Sequence, residues 1–216
     1  MPKTIGTPRL SGDVGPAPSA FQQVRYLGSA AEPQQLPADR GAEVAFVGRS
    51  NAGKSSAINA ICGRRKLAFV SRTPGRTQMI NFFSVEDNTR LVDLPGYGYA
   101  RVPADIRNRW EQLLGFYLLS RAALRALVII VDARHGLTPL DRQMLRWFGE
   151  TGKPVHILLT KADKLGRQQQ VLQLKTAHRE LAEILPGATD QLFSSVTGEG
   201  IEQARAVVAE FLKRPE

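Results

Sequence analysis

Cysteine is almost missing from this chain: Cys62 stands alone, so no intramolecular disulfide can form, in keeping with a reducing compartment. Its place on the apolar side of a candidate helix suits a buried, inert thiol rather than a nucleophile. No run approaches the roughly 18 apolar residues of a membrane span. Residues 1–20 lack the apolar centre of a secretory signal, and their Gly and Pro content argues against the amphipathic helix of a transit peptide. A cytoplasmic protein with no membrane partner is therefore expected. The three histidines, His135, His156 and His178, fall on separate elements, and no zinc spacing or His/Cys/acid constellation marks a second active site. An internal repeat is absent, as is the aromatic-interleaved basic pattern of an RNA-binding module.

Positive charge, by contrast, is abundant. Over 216 residues Lys and Arg outnumber Asp and Glu by 29 to 20, a formal net charge of +9. A polyanionic partner fits that balance, RNA being the commonest, although a solvated basic surface fits it as well. Arg101, Arg107, Arg109, Arg121 and Arg125 concentrate the charge in one region, facing either RNA phosphates or solvent.

Composition divides the chain. Residues 1–20 are rich in Pro and Gly and poor in large apolar side chains, so a disordered tail is expected. Residues 21–40 carry Phe21, Val24, Tyr26 and Leu27 before a Pro- and Gln-rich link, as a short piece packed on a domain edge would. From residue 41 to 216, apolar runs alternate with longer helical stretches, the pattern of βα units around a mostly parallel sheet with helices on both faces. Strands are predicted at Val44–Val47, Ile80–Val85, Arg90–Val92, Ala126–Val131, Val155–Leu159 and Gln191–Phe193. Helices are predicted near Lys54–Cys62, Ala104–Ser120, Pro139–Glu150, Gln168–Ile184 and Gly200–Lys213. Trp110, Trp147 and Phe148 lie on these helices among apolar neighbours, as core residues do.

The most specific stretch is Gly48-Arg49-Ser50-Asn51-Ala52-Gly53-Lys54-Ser55, which has the spacing of a P-loop between a buried strand and a helix. Gly48 and Gly53 can adopt backbone conformations closed to other residues, letting N–H groups approach phosphate oxygens. Lys54 brings charge to the β and γ phosphates, Ser55 can place a hydroxyl on Mg²⁺, and the helix dipole faces the anion.

Further motifs follow at strand ends. The polar stretch Thr73-Pro74-Gly75-Arg76-Thr77-Gln78 suits a switch loop ordered by γ-phosphate and Mg²⁺. Asp93 closes an apolar strand and is suited to hold Mg²⁺ through water, while Gly96 leaves room for its N–H to meet the γ-phosphate. Thr160-Lys161-Ala162-Asp163 ends another strand. A single carboxylate accepts both the N1–H and 2-amino donors of guanine, but faces a lone pair on adenine, which selects GTP over ATP. A tight turn at Phe193-Ser194-Ser195 could aim a backbone N–H at guanine O6.

Together these stretches resemble the translation-factor-type GTPases, and more closely the EngB (YihA/YsxC) family of bacterial GTPases. The likeness runs from about Phe21 to Phe211, with Asp93-Leu94-Pro95-Gly96-Tyr97-Gly98-Tyr99 its most family-specific run. The resemblance implies the P-loop GTPase fold, with six or seven strands. It also implies a cytoplasmic, monomeric switch in assembly of the large ribosomal subunit, contacting its rRNA and proteins and needed for cell division and septation. By position, the GTP or GDP contacts are Gly48, Arg49, Ser50, Asn51, Ala52, Gly53, Lys54 and Ser55, then Gly75, Arg76, Thr77, Gln78 and Met79. Asp93, Leu94, Pro95, Gly96, Thr160, Lys161, Ala162, Asp163, Phe193, Ser194 and Ser195 complete them. Lys54, Thr77 and Gly96 would act on the reacting phosphate. Mg²⁺ would fall to Ser55 and Thr77, with Thr73 as the alternative to Thr77, and Asp93 through water. Where Ras-like proteins have a water-orienting Gln, this chain has Tyr97, so slow intrinsic hydrolysis is expected, aided by the ribosome or by a monovalent cation. Asn51 is the candidate K⁺ ligand, as in related GTPases with Asn at this position. Two other classes compete: a P-loop phosphotransferase acting with ATP, and a non-catalytic RNA-binding module that keeps nucleotide for folding.

Overall fold

The computed structural model describes residues 21, 23–64, 66–68, 79–86, 88–97 and 104–213, and for 104–111 the backbone alone. The expected tail at 1–20 and the switch stretch Thr73–Gln78 lie outside the described residues, as do Arg101 and the side chains of Arg107, Arg109 and Trp110.

Seven strands and five α-helices are described: β1 (Arg25–Ala30), β2 (Ala42–Gly48), α1 (Lys54–Ile61), β3 (Ile80–Glu86), β4 (Thr89–Asp93), α2 (Ala104–Ser120), β5 (Leu124–Asp132), α3 (Pro139–Gly149), β6 (Val155–Thr160), α4 (Arg167–Ile184), β7 (Thr189–Leu192) and α5 (Ile201–Leu212). The sheet order is β1-β3-β4-β2-β5-β6-β7. β4, β2, β5, β6 and β7 run parallel; at one end β3 pairs antiparallel with β4, and β1 pairs antiparallel with β3. Each strand predicted from the apolar runs is present within a residue or two. β1 is an addition, because Arg25–Leu27 are exposed and show no period-two alternation to betray a strand.

The order of the strands decides where the helices go. From β2 the chain moves to β4 on one side, then crosses back to β5, β6 and β7 on the other. Right-handed crossovers in opposite directions lie on opposite faces. Accordingly Ala57, Ile58 and Ile61 of α1 pack with Ala204, Val208 and Leu212 of α5 on one face. Leu113, Leu114, Tyr117, Leu118, Leu145, Phe148, Ala177 and Leu181 of α2, α3 and α4 cover the other. β2, buried along its whole length, sits where the direction reverses, and its carboxyl end opens into the crevice that such a reversal creates. Among the described residues no helix is long and apolar enough to cross a membrane.

At the opposite end of β2 a charge is buried. Glu43 has no exposure, and its carboxylate accepts from Arg90 at 3.0 Å, from Tyr117 Oη at 2.9 Å, and from Arg121 Nε and Nη2 at 2.9 and 2.7 Å. Arg121 is thereby corrected: it is 5% exposed and bonded to Glu43 and to the carbonyl of Pro37, so it meets neither RNA nor solvent. Arg125 lies half-buried in β5, not on a helix face. A buried carboxylate needs this many donors to offset its desolvation.

Candidate functional site

The parallel strands end at one level, and the chemistry collects there. In register, Phe46 lies beside Asp93, Gly48 beside Ile130, Asp132 beside Thr160 and Leu159 beside Leu192. The residues just beyond these pairs are the P-loop, Leu94–Tyr97, Lys161–Lys164 and Phe193–Ser195.

The loop from Gly48 to Ser55 curls from β2 into α1 through two left-handed residues, Asn51 at φ 63° and Gly53 at φ 104°. Gly48 differs from the expectation. Its φ is not left-handed; what it needs is space, because a Cβ there would stand 2.5 Å from the carbonyl oxygen of Ile130. Lys54 and Ser55 form the first turn of α1, which places the helix N-terminus and its free N–H groups at the loop.

Asp93 is 3% exposed and forms an ion pair with Lys54, so the two residues expected at the phosphates and the metal are in direct contact. The next residues are tied to β2: Leu94 N–H donates to Phe46 O at 2.9 Å and Tyr97 N–H to Gly48 O at 3.2 Å. Pro95 and Gly96 are buried between these ties. Tyr97 is buried too, and its hydroxyl donates to Asp141 Oδ1 at 2.5 Å.

The turn after β6 is fastened to the P-loop itself. The single hydroxyl proton of Thr160 lies between Ala52 O at 2.5 Å and Val131 O at 3.0 Å. Lys161, left-handed at φ 59°, donates to Asn51 O at 2.6 Å and Asp132 Oδ2 at 2.9 Å. Burial pushes the Asp132 carboxyl up, but bonds from Arg134 and Lys161 outweigh it and hold the group well below the usual carboxylate range. Asp163 accepts from Ser194 Oγ at 2.7 Å, and that bond keeps its carboxyl low. Ser194 Oγ in turn accepts from the N–H groups of Val196 and Thr197, and Ala162 N–H donates to the carbonyl of buried Phe193. Ala162 is buried beneath the turn, while Ser195 is exposed beside it.

Arg49 and Asn51 are exposed, Ser50 half-buried, and Met79 is 41% exposed at the start of β3. Gly75, Arg76, Thr77 and Gln78 lie outside the described residues. Three participants carry no motif of their own: Asp132, Arg134 and Asp141. Asp132 shares with Asp93 the signature of an acid closing an apolar strand, and that was the one signal by which it could have been found. A cavity of about 190 Å³, lined by residues including Arg49, Asn51, Asp132, His135, Thr138 and Asp141, flanks the outer side of the P-loop.

Comparison with known proteins agrees with this geometry. Residues 43–161 match the family model described as 50S ribosome-binding GTPase. The chain is 52% identical over 195 residues to a probable GTP-binding protein EngB of Aromatoleum aromaticum, covering 90% of each chain. It is 55% identical over 188 residues to the probable EngB of Thiobacillus denitrificans, covering 87% of this chain and 90% of that one. Among solved structures, a probable GTP-binding protein EngB superposes with a TM-score of 0.62 at 23% identity, over 79% of this chain and 98% of that one. Era of Aquifex aeolicus superposes at 0.65 and 20% identity, over 81% and 57%. These two show a shared fold.

Proposed function

Because the chain belongs to the EngB family of GTP-binding proteins and is a P-loop GTPase, we propose that it works as a slow, guanine-specific switch in the cytoplasm, monomeric, acting in assembly of the large ribosomal subunit and so in cell division and septation. One observation supports this most strongly: Thr160 and Lys161 bond the backbone of Ala52 and Asn51, so the triphosphate cradle and the base-reading turn form a single unit. ATP would meet the Asp163 carboxylate with an adenine lone pair, which disfavours the phosphotransferase alternative.

In the proposed reaction a water oxygen bonds to the γ-phosphorus as the bond to the β-phosphate oxygen breaks, giving GDP and phosphate. Lys54 exchanges its bond to Asp93 for the β and γ phosphate oxygens and balances their charge. The Gly96 N–H holds a γ-phosphate oxygen. Thr77 would act on the reacting phosphate, and Gly75, Arg76, Gln78 and Met79 would contact the nucleotide. Ser55 and Thr77 would hold Mg²⁺ through their hydroxyl oxygens and Asp93 would hold it through water, hard oxygen donors of the kind Mg²⁺ accepts beside phosphates; there it would supply charge neutralisation. The Asn51 carboxamide, exposed at the loop, suits K⁺. Tyr97 uses its hydroxyl proton on Asp141, so it leaves the attacking water unoriented and the intrinsic rate low.

Asp163→Asn tests the assignment. Its affinity for GTP should fall about a hundredfold or more while xanthosine triphosphate gains, since the amide donates where the carboxylate accepted. A variant that keeps GTP affinity, or a parent that takes ATP as readily, overturns the base-reading role.

A further inference from the structure

Tyr97 follows Gly96 directly, and it is held from two sides, the end of β2 and α3. Its N–H donates to Gly48 O, its backbone forms a parallel bridge with Arg49, and its phenol donates to Asp141 Oδ1. Both side chains are buried, with 7% of Tyr97 and 1% of Asp141 exposed. The other oxygen of Asp141 accepts from Thr138 N–H at 2.7 Å and Thr138 Oγ1 at 2.6 Å, which closes the cap of α3. Thr138 thus fixes the carboxylate, and the carboxylate fixes the phenol. Burial and the adjacent carboxylate push the phenol's pKa up, so it remains a donor.

We propose that Tyr97 is a positioning residue that pre-sets the segment Asp93–Gly96 for the γ-phosphate, and so raises the affinity for GTP relative to that for GDP. This rests on the proposed role of Gly96 at the γ-phosphate. A segment that becomes ordered only when GTP arrives draws its ordering free energy from GTP binding, and one already tied to β2 and α3 does not. GDP has no γ-phosphate and makes no use of the segment. The chain thereby gives up a side chain that could orient water and gains a fixed phosphate-facing backbone.

The test uses the full chain, with dissociation constants for GDP and for a non-hydrolysable GTP analogue. Tyr97→Phe should weaken the analogue about tenfold, the size of one hydrogen bond to a carboxylate, and leave GDP within about twofold. Asp141→Ala, which removes the phenol's acceptor, should act in the same direction, and the double variant should be no worse than the worse single, because Tyr97→Phe then has no bond left to remove. Thr138→Ala, which removes the hydroxyl bond to Asp141 but keeps the Thr138 N–H bond, should lower the melting temperature and shift the nucleotide ratio in the same direction as Tyr97→Phe but by less. An unchanged ratio in Tyr97→Phe overturns the proposal. So does a tighter analogue, which would mark the bond as a restraint that GTP must break. A parent that binds neither nucleotide overturns the guanine-switch reading itself, a result distinct from either of these.

Discussion

His156 is an ionisable side chain that the site does not use, and its surroundings dictate its charge. It lies in β6, 1% exposed, with Nδ1 2.7 Å from Thr189 Oγ1 and Nε2 3.1 Å from Gln191 Oε1. The Gln191 amide nitrogen donates to the carbonyls of Gly200 and Leu192, so its oxygen faces the ring and Nε2 carries the proton. Burial pulls the pKa down to about 4, only partly opposed by the bond to Gln191. An unfolded histidine titrates near 6.5, so between those values the unfolded chain binds a proton that the folded chain refuses. The neutral ring's contribution is complete above about pH 6.5 and is lost as pH falls to about 4, a change on the order of 3 kcal/mol. Urea unfolding at pH 7 and pH 4.5 should show the parent losing more stability than His156→Gln by most of that amount. Equal losses would mean that the ring is protonated inside the fold.

At the scale of elements, the β6 turn holds the P-loop, and Thr160 is the joint. Thr160→Val keeps the shape but strips Ala52 O of its hydroxyl partner, which should cost about 1–3 kcal/mol of stability. If the joint also holds the loop in its phosphate-binding form, GDP should dissociate about tenfold faster, as stopped-flow release of a fluorescent GDP would read. Lost stability with unchanged release would confine Thr160 to the fold. Most of this architecture was legible in sequence, because β2, β5 and β6 are continuous apolar runs and the P-loop and Thr160–Asp163 announce themselves by spacing. β1 was not, since an exposed edge strand needs no alternation. Nor were the links between elements: Tyr97 and Asp141 stand 44 residues apart and Glu43 and Arg121 stand 78 apart, and each pairing exists only once the sheet has formed. The need for Gly48 was likewise visible while its reason was not, because the crowding comes from Ile130 on a neighbouring strand.

For the whole molecule, the excess of nine positive charges is the property that a pre-ribosomal particle would meet first. Part of the basic inventory is already committed internally: Arg90 and Arg121 to Glu43, Arg134 and Lys161 to Asp132, Arg142 to Glu180. In the proposed role, what remains on the surface would meet rRNA phosphates, and contacts of that kind release counterions, so binding should weaken steeply as salt rises. Nucleotide enters through geometry rather than charge: in the proposed role GTP would draw Lys54 from Asp93, presenting a surface that GDP does not. Co-sedimentation with large-subunit precursors should therefore be strongest with a non-hydrolysable analogue, weaker with GDP, and lost between about 50 and 200 mM salt in both. Equal sedimentation with GTP, analogue and GDP would remove the switch, since a ligand that favours neither state shifts no equilibrium. Binding indifferent to salt would instead move the contact from rRNA to ribosomal protein, leaving the nucleotide dependence to be judged by itself.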